Sequence, residues 1–330
     1  MGRKSISIII PNYNGKHLLQ EYLPYTLAAI KNAQTEYEII VVDDASKDDS
    51  VAFVLEHYRQ VKLLVNAQNG GFSYTCNQGI NAAEKELILL LNSDVKLLPD
   101  YFEQQFKYFD DADTFGVMGR IIDMEGEGIQ DAARLPKLNG LKLKTAFFYY
   151  TDNADDRLLT FYLSGANALI DAQKLKAIGG FYELFSPFYC EDMELSLRAW
   201  RMGWKCYYEH QSVCRHQISA STKNYDTARR VKSIYYRNRF YMHALHLNGL
   251  ALFGWYVQIT LIDLLPKLLV GQTWIWESYR QLFKNRVLIK DYKTRLTALL
   301  EKNNSRISIF NVIKRIRESV KGKSLIKIKL

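Results

Sequence analysis

Acidic side chains follow apolar runs, or open a helical stretch, at three places in this 330-residue chain. Asp43 and Asp44 come directly after YEIIVV (37–42). Asn92, Ser93 and Asp94 come after the five aliphatics of 87–91, and Glu191 and Asp192 open the helical stretch EDMELSLRAW. One histidine, His216, follows in Cys214-Arg215-His216. In open α/β sheets, ligands bind beyond the carboxyl ends of the strands. A carboxylate placed there can hold a divalent cation through oxygen, which is what a diphosphate substrate needs. Each residue also has a plainer reading. Asn, Ser and Asp favour turns, Asp43 and Asp44 could cap the next helix, and Glu191 and Asp192 could serve a helix dipole, with Glu194 and Arg198 paired one turn apart. His216 could be a core histidine. Four such coincidences at the mouth of one sheet favour a site.

The elements that position these residues alternate. SISIIIP (5–11) reads as a strand, and 15–33 follows with apolar residues at helical spacing. Strands at 37–42, 62–65 and 87–91 are separated by helices at 46–57 and 72–83. That rhythm predicts βαβ units and an α/β fold: a mostly parallel central sheet flanked by helices, with a Rossmann-like nucleotide-binding half followed by an acceptor half. No Gly-x-Gly-x-x-Gly follows the first strand, so the dinucleotide fingerprint is absent. Further on, 99–109 reads as a helix and 115–122 as a fifth strand. Residues 123–158, with Gly126, Gly128, Pro136 and Gly140, read as a long loop over the site. Ser164-Gly165-Ala166-Asn167 is a run of small residues that lets a ligand approach the backbone.

Composition bounds the rest. At 48% hydrophobic and 24% charged the chain is globular. Cys76, Cys190, Cys206 and Cys214 lack Cys-x-x-Cys spacing, which suggests free thiols in a reducing compartment, and with His210 and His216 they match no common zinc pattern. No secretory h-region precedes the first strand, so a cytoplasmic protein is expected. The net charge of +9 is uneven: residues 243–330 hold 16 Lys+Arg against 5 Asp+Glu, and the first 242 hold 28 against 30. LNGLALFGWYVQITLI (247–262) carries no charge before Asp263, Pro266 and Lys267 interrupt it. It is short for a membrane span. A basic, helical appendage over 243–330, lying at the inner membrane surface with Trp255, Trp274 and Trp276 at headgroup level, is the expectation.

In order along the chain, SIIIPNYN (7–14), VVDDASKD (41–48), NGGFS (69–73), LNSD (91–94) and EDMELSLR (191–198) resemble the family 2 inverting glycosyltransferases of the glycosyltransferase A (GT-A) fold. The resemblance covers about residues 5–242 and is similar to the rhamnosyltransferase and galactofuranosyltransferase-like bacterial members. It implies a catalytic domain over 1–242. Pro11, Tyr13, Asp43, Asp44, Asn69, Gly71, Asn92 and Ser93 would hold a dTDP- or UDP-sugar donor. Asp94 and His216 would bind Mg²⁺ or Mn²⁺ on the diphosphate. Asp192 would be the general base, with Ser164, Gly165, Asn167 and Glu191 on the acceptor side. The acceptor expected is a saccharide hydroxyl, lipid-linked on a polyprenyl diphosphate, in cell-surface polysaccharide synthesis. Asn92 departs from the pattern, because many relatives carry an acid there and an amide adds no charge to the metal site.

Two other readings fit less well. A processive polysaccharide synthase needs several spans and a Gln-x-x-Arg-Trp motif, and neither is present. A non-catalytic nucleotide-sugar or nucleic-acid binding module is permitted by the basic tail, but no nucleic-acid motif is found, so no nucleic-acid partner is expected.

Overall fold

A computed structural model describes residues 3–217 and 228–328. The N-terminal half alternates as expected: β1 (Ile6–Asn12), α1 (Lys16–Asn32), β2 (Tyr37–Asp43), α2 (Ser50–His57), β3 (Lys62–Val65), α3 (Phe72–Ala82) and β4 (Leu87–Leu91). These strands lie in the order β4-β1-β2-β3, and all three pairings are parallel. The aliphatics of β1 and β4 are at most 2% exposed, because helices cover the sheet on both faces. The chain runs outward from β1 to β2 and β3, then returns to place β4 on the other side of β1. This reversal opens a crevice beyond the strand ends, where α/β folds bind ligands.

The second half makes the sheet mixed. It comprises β5 (Val95–Leu97), β6 (Thr114–Ile122), β7 (Ile129–Asp131), β8 (Ala133–Asn139), β9 (Lys142–Tyr150), β10 (Leu158–Leu159), β11 (Asn167–Asp171), α4 (Ala172–Ala177), α5 (Glu191–Arg201) and β12 (Lys205–His216). β11 inserts antiparallel between β4 and β6, and β12 runs parallel to β6. Its pairing with β6 breaks between Glu209 and Val213. Such bulges re-aim the end of a strand, here the end that carries His216.

Two expectations are corrected. Residues 123–158 are not a loop: β8 and β9 form a hairpin whose two-residue turn is Gly140-Leu141, with Gly140 at a positive φ of 60°. Gly at the first central position suits a two-residue hairpin turn, Gly126 and Gly128 lie in the turn between β6 and β7, and Pro136 sits inside β8 where its pairing with β9 shifts register. Residues 99–109 do not form an α-helix but successive i→i+3 turns, such as Tyr101 N–H to Leu98 O, ending in one 3₁₀ turn over Phe106–Asp110. The turns bury Tyr101, Phe102 and Tyr108, and the Tyr101 hydroxyl donates to Asn167 O at 2.8 Å. The stretch 205–216 is a twelve-residue strand in which aromatic, charged and small residues hide the alternation.

The C-terminal part contains α6 (Ala228–His246), α7 (Gly249–Gln258), α8 (Leu265–Leu269), α9 (Trp274–Lys284), α10 (Arg286–Lys302), α11 (Ile309–Ser319) and β13 (Ile326–Ile328). A π-helical stretch, Ile259–Leu264, joins α7 to α8 in one rod. The expected boundary at 242/243 falls inside α6. Beyond it the chain packs back: α11 buries Ile309, Val312, Ile313 and Ile316, and β13 adds a strand to the β8–β9 hairpin. Glu194 and Arg198 pair at 2.9 Å with neither side chain exposed, and His246 of α6 lies 3.3 Å from the same carboxylate. The Arg198 guanidinium also donates to Ile178 O and Gly180 O and sits over the Tyr182 ring. A buried pair with its remaining protons satisfied tolerates burial, whereas a lone charge would not.

Candidate active site

A cleft of about 850 Å³ opens at the carboxyl ends of β1, β2 and β4. Of the residues singled out in the sequence, Pro11, Tyr13, Asp44, Gly71, Asn92, Ser93, Asp94, Ser164, Gly165, Glu191, Asp192 and His216 line it. Asp43, Asn69 and Asn167 do not. Asp43 is 1% exposed and accepts from the Asn12 amide at 2.8 Å and from Ser46 N–H at 2.9 Å, so it ties the ends of β1 and β2 together. Asn167, expected on the acceptor side, is fully buried, its amide nitrogen directed to Gly119 O and Cys214 Sγ. Asn69 is exposed, outside the lining.

Asp44 organises one wall of the cleft. Its carboxylate accepts from the Asn66 amide at 2.8 Å and from Gly70 N–H and Gly71 N–H at 2.9 Å each. Gly71 has a φ of 81°, and a side chain there would stand 3.3 Å from Pro187 Cα. A glycine is needed both for the left-handed backbone and for the close approach.

Asp94 and His216, 122 positions apart, are brought together by backbone pairing. β5 runs antiparallel to β12 with Val95 opposite His216, and Gln217 N–H donates to Asp94 O at 3.1 Å. His216 Nδ1 lies 3.1 Å from Gln130 Oε1 and donates to it, so in the neutral imidazole Nε2 carries the lone pair and faces Asp94 Oδ1 at 3.4 Å. Asp94 Oδ1 is buried without a hydrogen-bond partner. A lone-pair nitrogen and an orphaned carboxylate oxygen facing each other are a donor pair suited to a divalent cation, with Gln130 orienting the histidine. The remaining ligands of such an ion would come from phosphate and water, as is usual for Mg²⁺. No cluster of three or more His, Cys, Asp or Glu side chains able to hold a metal is found among the described residues. The four cysteines are free and buried, which leaves the unusual Cys/His spacing without a zinc site.

Across the cleft, α5 starts at Glu191 after Cys190, which has a positive φ of 70°. Burial raises the Asp192 carboxyl, the Arg134 guanidinium counteracts it, and Met193 N–H donates to Oδ1 at 2.7 Å. Burial and the neighbouring Asp192 charge push Glu191 well above the usual carboxylate range. Gly165 lets the two walls approach, since a Cβ there would lie 3.3 Å from the Phe72 ring and 3.9 Å from Asp192 Cβ.

The sequence reading missed Gln130, Asp131 and His17, all in the lining, and Arg134 behind it. Gln130 and Asp131 sit on β7 inside the segment read as a loop. The Asn139-Gly140 dipeptide, with alternating Leu and Lys after it, was the available signal.

A parallel half-sheet entering a mixed half, with the cleft at the strand ends and carboxylates on both walls, defines a GT-A-type glycosyltransferase fold. The fold is shared with GalNAc-T7 crystallised with UDP, GalNAc and Mn²⁺, at a TM-score of 0.62 and 13% identity over 97% of this chain and 57% of that one. The family model for glycosyl transferase family 2 matches residues 7–179, slightly more than half of the chain. The chain belongs to that family. It is similar to an uncharacterised glycosyltransferase of Rickettsia prowazekii, 26% identical over 66% of this chain and 64% of the relative. It is also similar to the undecaprenyl-phosphate 4-deoxy-4-formamido-L-arabinose transferase of Photorhabdus laumondii, 34% identical over 29% of this chain and 31% of that enzyme. The chain spans less than two thirds of the length of these relatives.

Proposed function

We propose that this protein is an inverting glycosyltransferase that moves a sugar from a nucleoside-diphosphate donor to a hydroxyl of a saccharide acceptor in cell-surface polymer synthesis. The observation that carries the proposal is the pairing of Asp94 Oδ1 with His216 Nε2 on one wall of the cleft and Asp192 on the other. Asp44, Tyr13 and Pro11 form the nucleotide end. Asp94 and His216 hold a divalent cation, Mg²⁺ or Mn²⁺, which when bound offsets the charge gathering on the leaving diphosphate. Among the described residues no lysine or arginine lines the cleft, so the protein's own cationic help to the diphosphate is small there. Asp192 accepts the proton of the acceptor hydroxyl as its oxygen attacks the anomeric carbon from the face opposite the diphosphate. Arg134, close by, favours the ionised form that this step needs. One displacement inverts the anomeric centre. Burial and then the Asp192 charge raise the Glu191 carboxyl, which lowers its tendency to add negative charge beside the donor.

The test is release of nucleoside diphosphate when UDP-, dTDP- and GDP-sugars are added with Mn²⁺. Acceptor-stimulated release with at least one donor is expected. No release with any donor would reduce the protein to a binding module.

The acceptor is lipid-linked and reached at the cytoplasmic membrane surface. The rod Gly249–Leu269 is long and apolar enough to cross a bilayer by length and composition. Its inner face is locked into the protein by buried Trp255, Ile259 and Leu264, and Asp263 pairs with Lys142 at 2.7 Å. Its outer face presents Leu250 (89% exposed), Phe253, Leu261, Ile262 and Leu269 (87% exposed), and Trp276, Phe283 and Val287 extend the apolar surface on α9 and α10. Lys284, Arg286 and Lys290 lie on the same two helices. Such an amphipathic rod lies in the interface of an anionic membrane. Each leucine moved out of the interface forfeits about 1.5–3 kcal/mol. The pair L250E and L269E is therefore expected to lower co-sedimentation with phosphatidylglycerol-containing vesicles by about tenfold or more, with UDP binding retained. Unchanged sedimentation would remove the membrane contact.

A further inference from the structure

A buried acid on the acceptor wall has no role in the mechanism above. Asp131, at the end of β7, lines the cleft with Asp192, and each is close enough to act on the charge of the other. One of its carboxylate oxygens, Oδ2, accepts from Arg134 Nη2; the Ser164 hydroxyl and the Ala132 N–H also lie close enough to favour its charged form, and Oδ1 is buried with no hydrogen bond of normal geometry. On the same wall, Glu191 is 8% exposed and its Oε2 is also buried and unpartnered. An unpaired buried carboxylate oxygen is costly unless a ligand supplies the missing donor.

Arg134 is built to hold Asp131 in place. It is 4% exposed, donates through Nη1 to Tyr162 O at 2.9 Å, and lies 4.0 Å from the centre of the Tyr162 ring. Its backbone N–H donates to the Thr160 hydroxyl at 3.0 Å. A guanidinium clamped at this many points cannot swing out to meet an incoming anion. Its one positive charge is already shared between Asp131 and Asp192. The wall therefore offers hydrogen-bond acceptors and net negative charge, which suits hydroxyl groups and repels phosphate.

We propose that Asp131 is a specificity-determining residue that receives a hydrogen bond from a second acceptor hydroxyl, adjacent to the hydroxyl whose proton passes to Asp192. The acceptor class is then an uncharged saccharide presenting two neighbouring hydroxyls, and a lipid monophosphate is refused. The inference rests on the glycosyl-transfer reading and adds the identity of the acceptor group. Arg134 acts through Asp131 as a positioning residue. Burial raises the Asp131 carboxyl to about 6, against the pull of Arg134 and with a push from Asp192, and a hydroxyl donor from the acceptor steadies its ionised form.

The experiment measures nucleoside diphosphate release by the full chain with its best donor. The acceptors are a panel of p-nitrophenyl hexosides and, separately, undecaprenyl phosphate in detergent. Stimulation by one or more hexosides and not by undecaprenyl phosphate is expected. D131N is expected to raise KM for the best hexoside by about tenfold or more, the cost of one hydrogen bond to a charged group, while kcat falls much less and UDP affinity is retained. Should D131N fail to fold, the same reading is made on the unaltered protein with deoxy versions of that hexoside: removing the hydroxyl next to the accepting one raises KM by a similar factor. Stimulation by undecaprenyl phosphate alone, donor turnover that no hexoside increases, or a KM indifferent to both D131N and the deoxy series would each overturn the inference. Failure of every donor to turn over would instead sink the underlying glycosyl-transfer reading.

Discussion

D192N is expected to lower kcat for glycosyl transfer by about a thousandfold while leaving UDP affinity within a factor of two. A positioned general base contributes about 10²–10⁴-fold, and an amide of the same shape cannot take a proton. The donor site is spared because Asp192 stands on the opposite wall from Asp94 and Asp44. Burial lifts the Asp192 carboxyl above the ordinary aspartate value, with Arg134 opposing it. The inactive, protonated form therefore persists to a higher pH than for a solvated aspartate. Transfer should fall as pH drops through that raised pKa, and the acid limb should flatten in D192N. Stability moves the other way. A carboxyl whose folded pKa is raised contributes stability at low pH that is lost as pH rises through the folded value. Removing the charge should therefore raise Tm at neutral pH. A D192N enzyme with near-normal kcat would show that the base lies elsewhere.

The second large effect concerns Asp94. D94N is expected to cost about a hundredfold or more in kcat/KM, because charge stabilisation by a metal is worth several kcal/mol, and to abolish Mn²⁺-dependent UDP binding. H216A should cost less, since imidazole contributes a lone pair and no negative charge. Asn92 adds no charge either, so the proposed site would hold an ion mainly through one carboxylate and the diphosphate. Excess EDTA should silence the wild-type protein, and added Mn²⁺ should restore it. Calorimetric titration of UDP with and without Mn²⁺ separates binding from turnover. Full activity in chelator would take the metal out of the mechanism.

Much of the first half of the molecule was legible because its elements are local. Five consecutive aliphatics at 87–91 have one plausible environment, a strand covered on both faces, and the structure leaves none of them more than 1% exposed. The residues just beyond such strands were readable as site candidates for the same reason: the ends of parallel strands are the open side of the sheet. The hairpin at 133–150 was misread because its glycine and proline were taken as loop markers, although Gly140 opens a two-residue turn between strands and Pro136 lies within one. Asp131 was missed with it.

By itself, the sequence determined the alternation of β1 to β4 with their helices, the family, and the carboxylates at the strand ends and the start of α5, because each is written in contiguous residues. Only the tertiary structure decided which carboxylates share a cleft. Asp43 and Asp44 are neighbours in the chain, yet one is spent on joining β1 to β2 and the other faces the cleft. Successive residues of an extended strand point to opposite faces, and no local signal says which face is open. Asp94 meets His216 through the β5–β12 register, and Asp131 meets Asp192 through the fold of β7 against the start of α5. Contacts between residues 122 and 61 positions apart depend on long-range strand pairing and packing, which composition and periodicity do not encode.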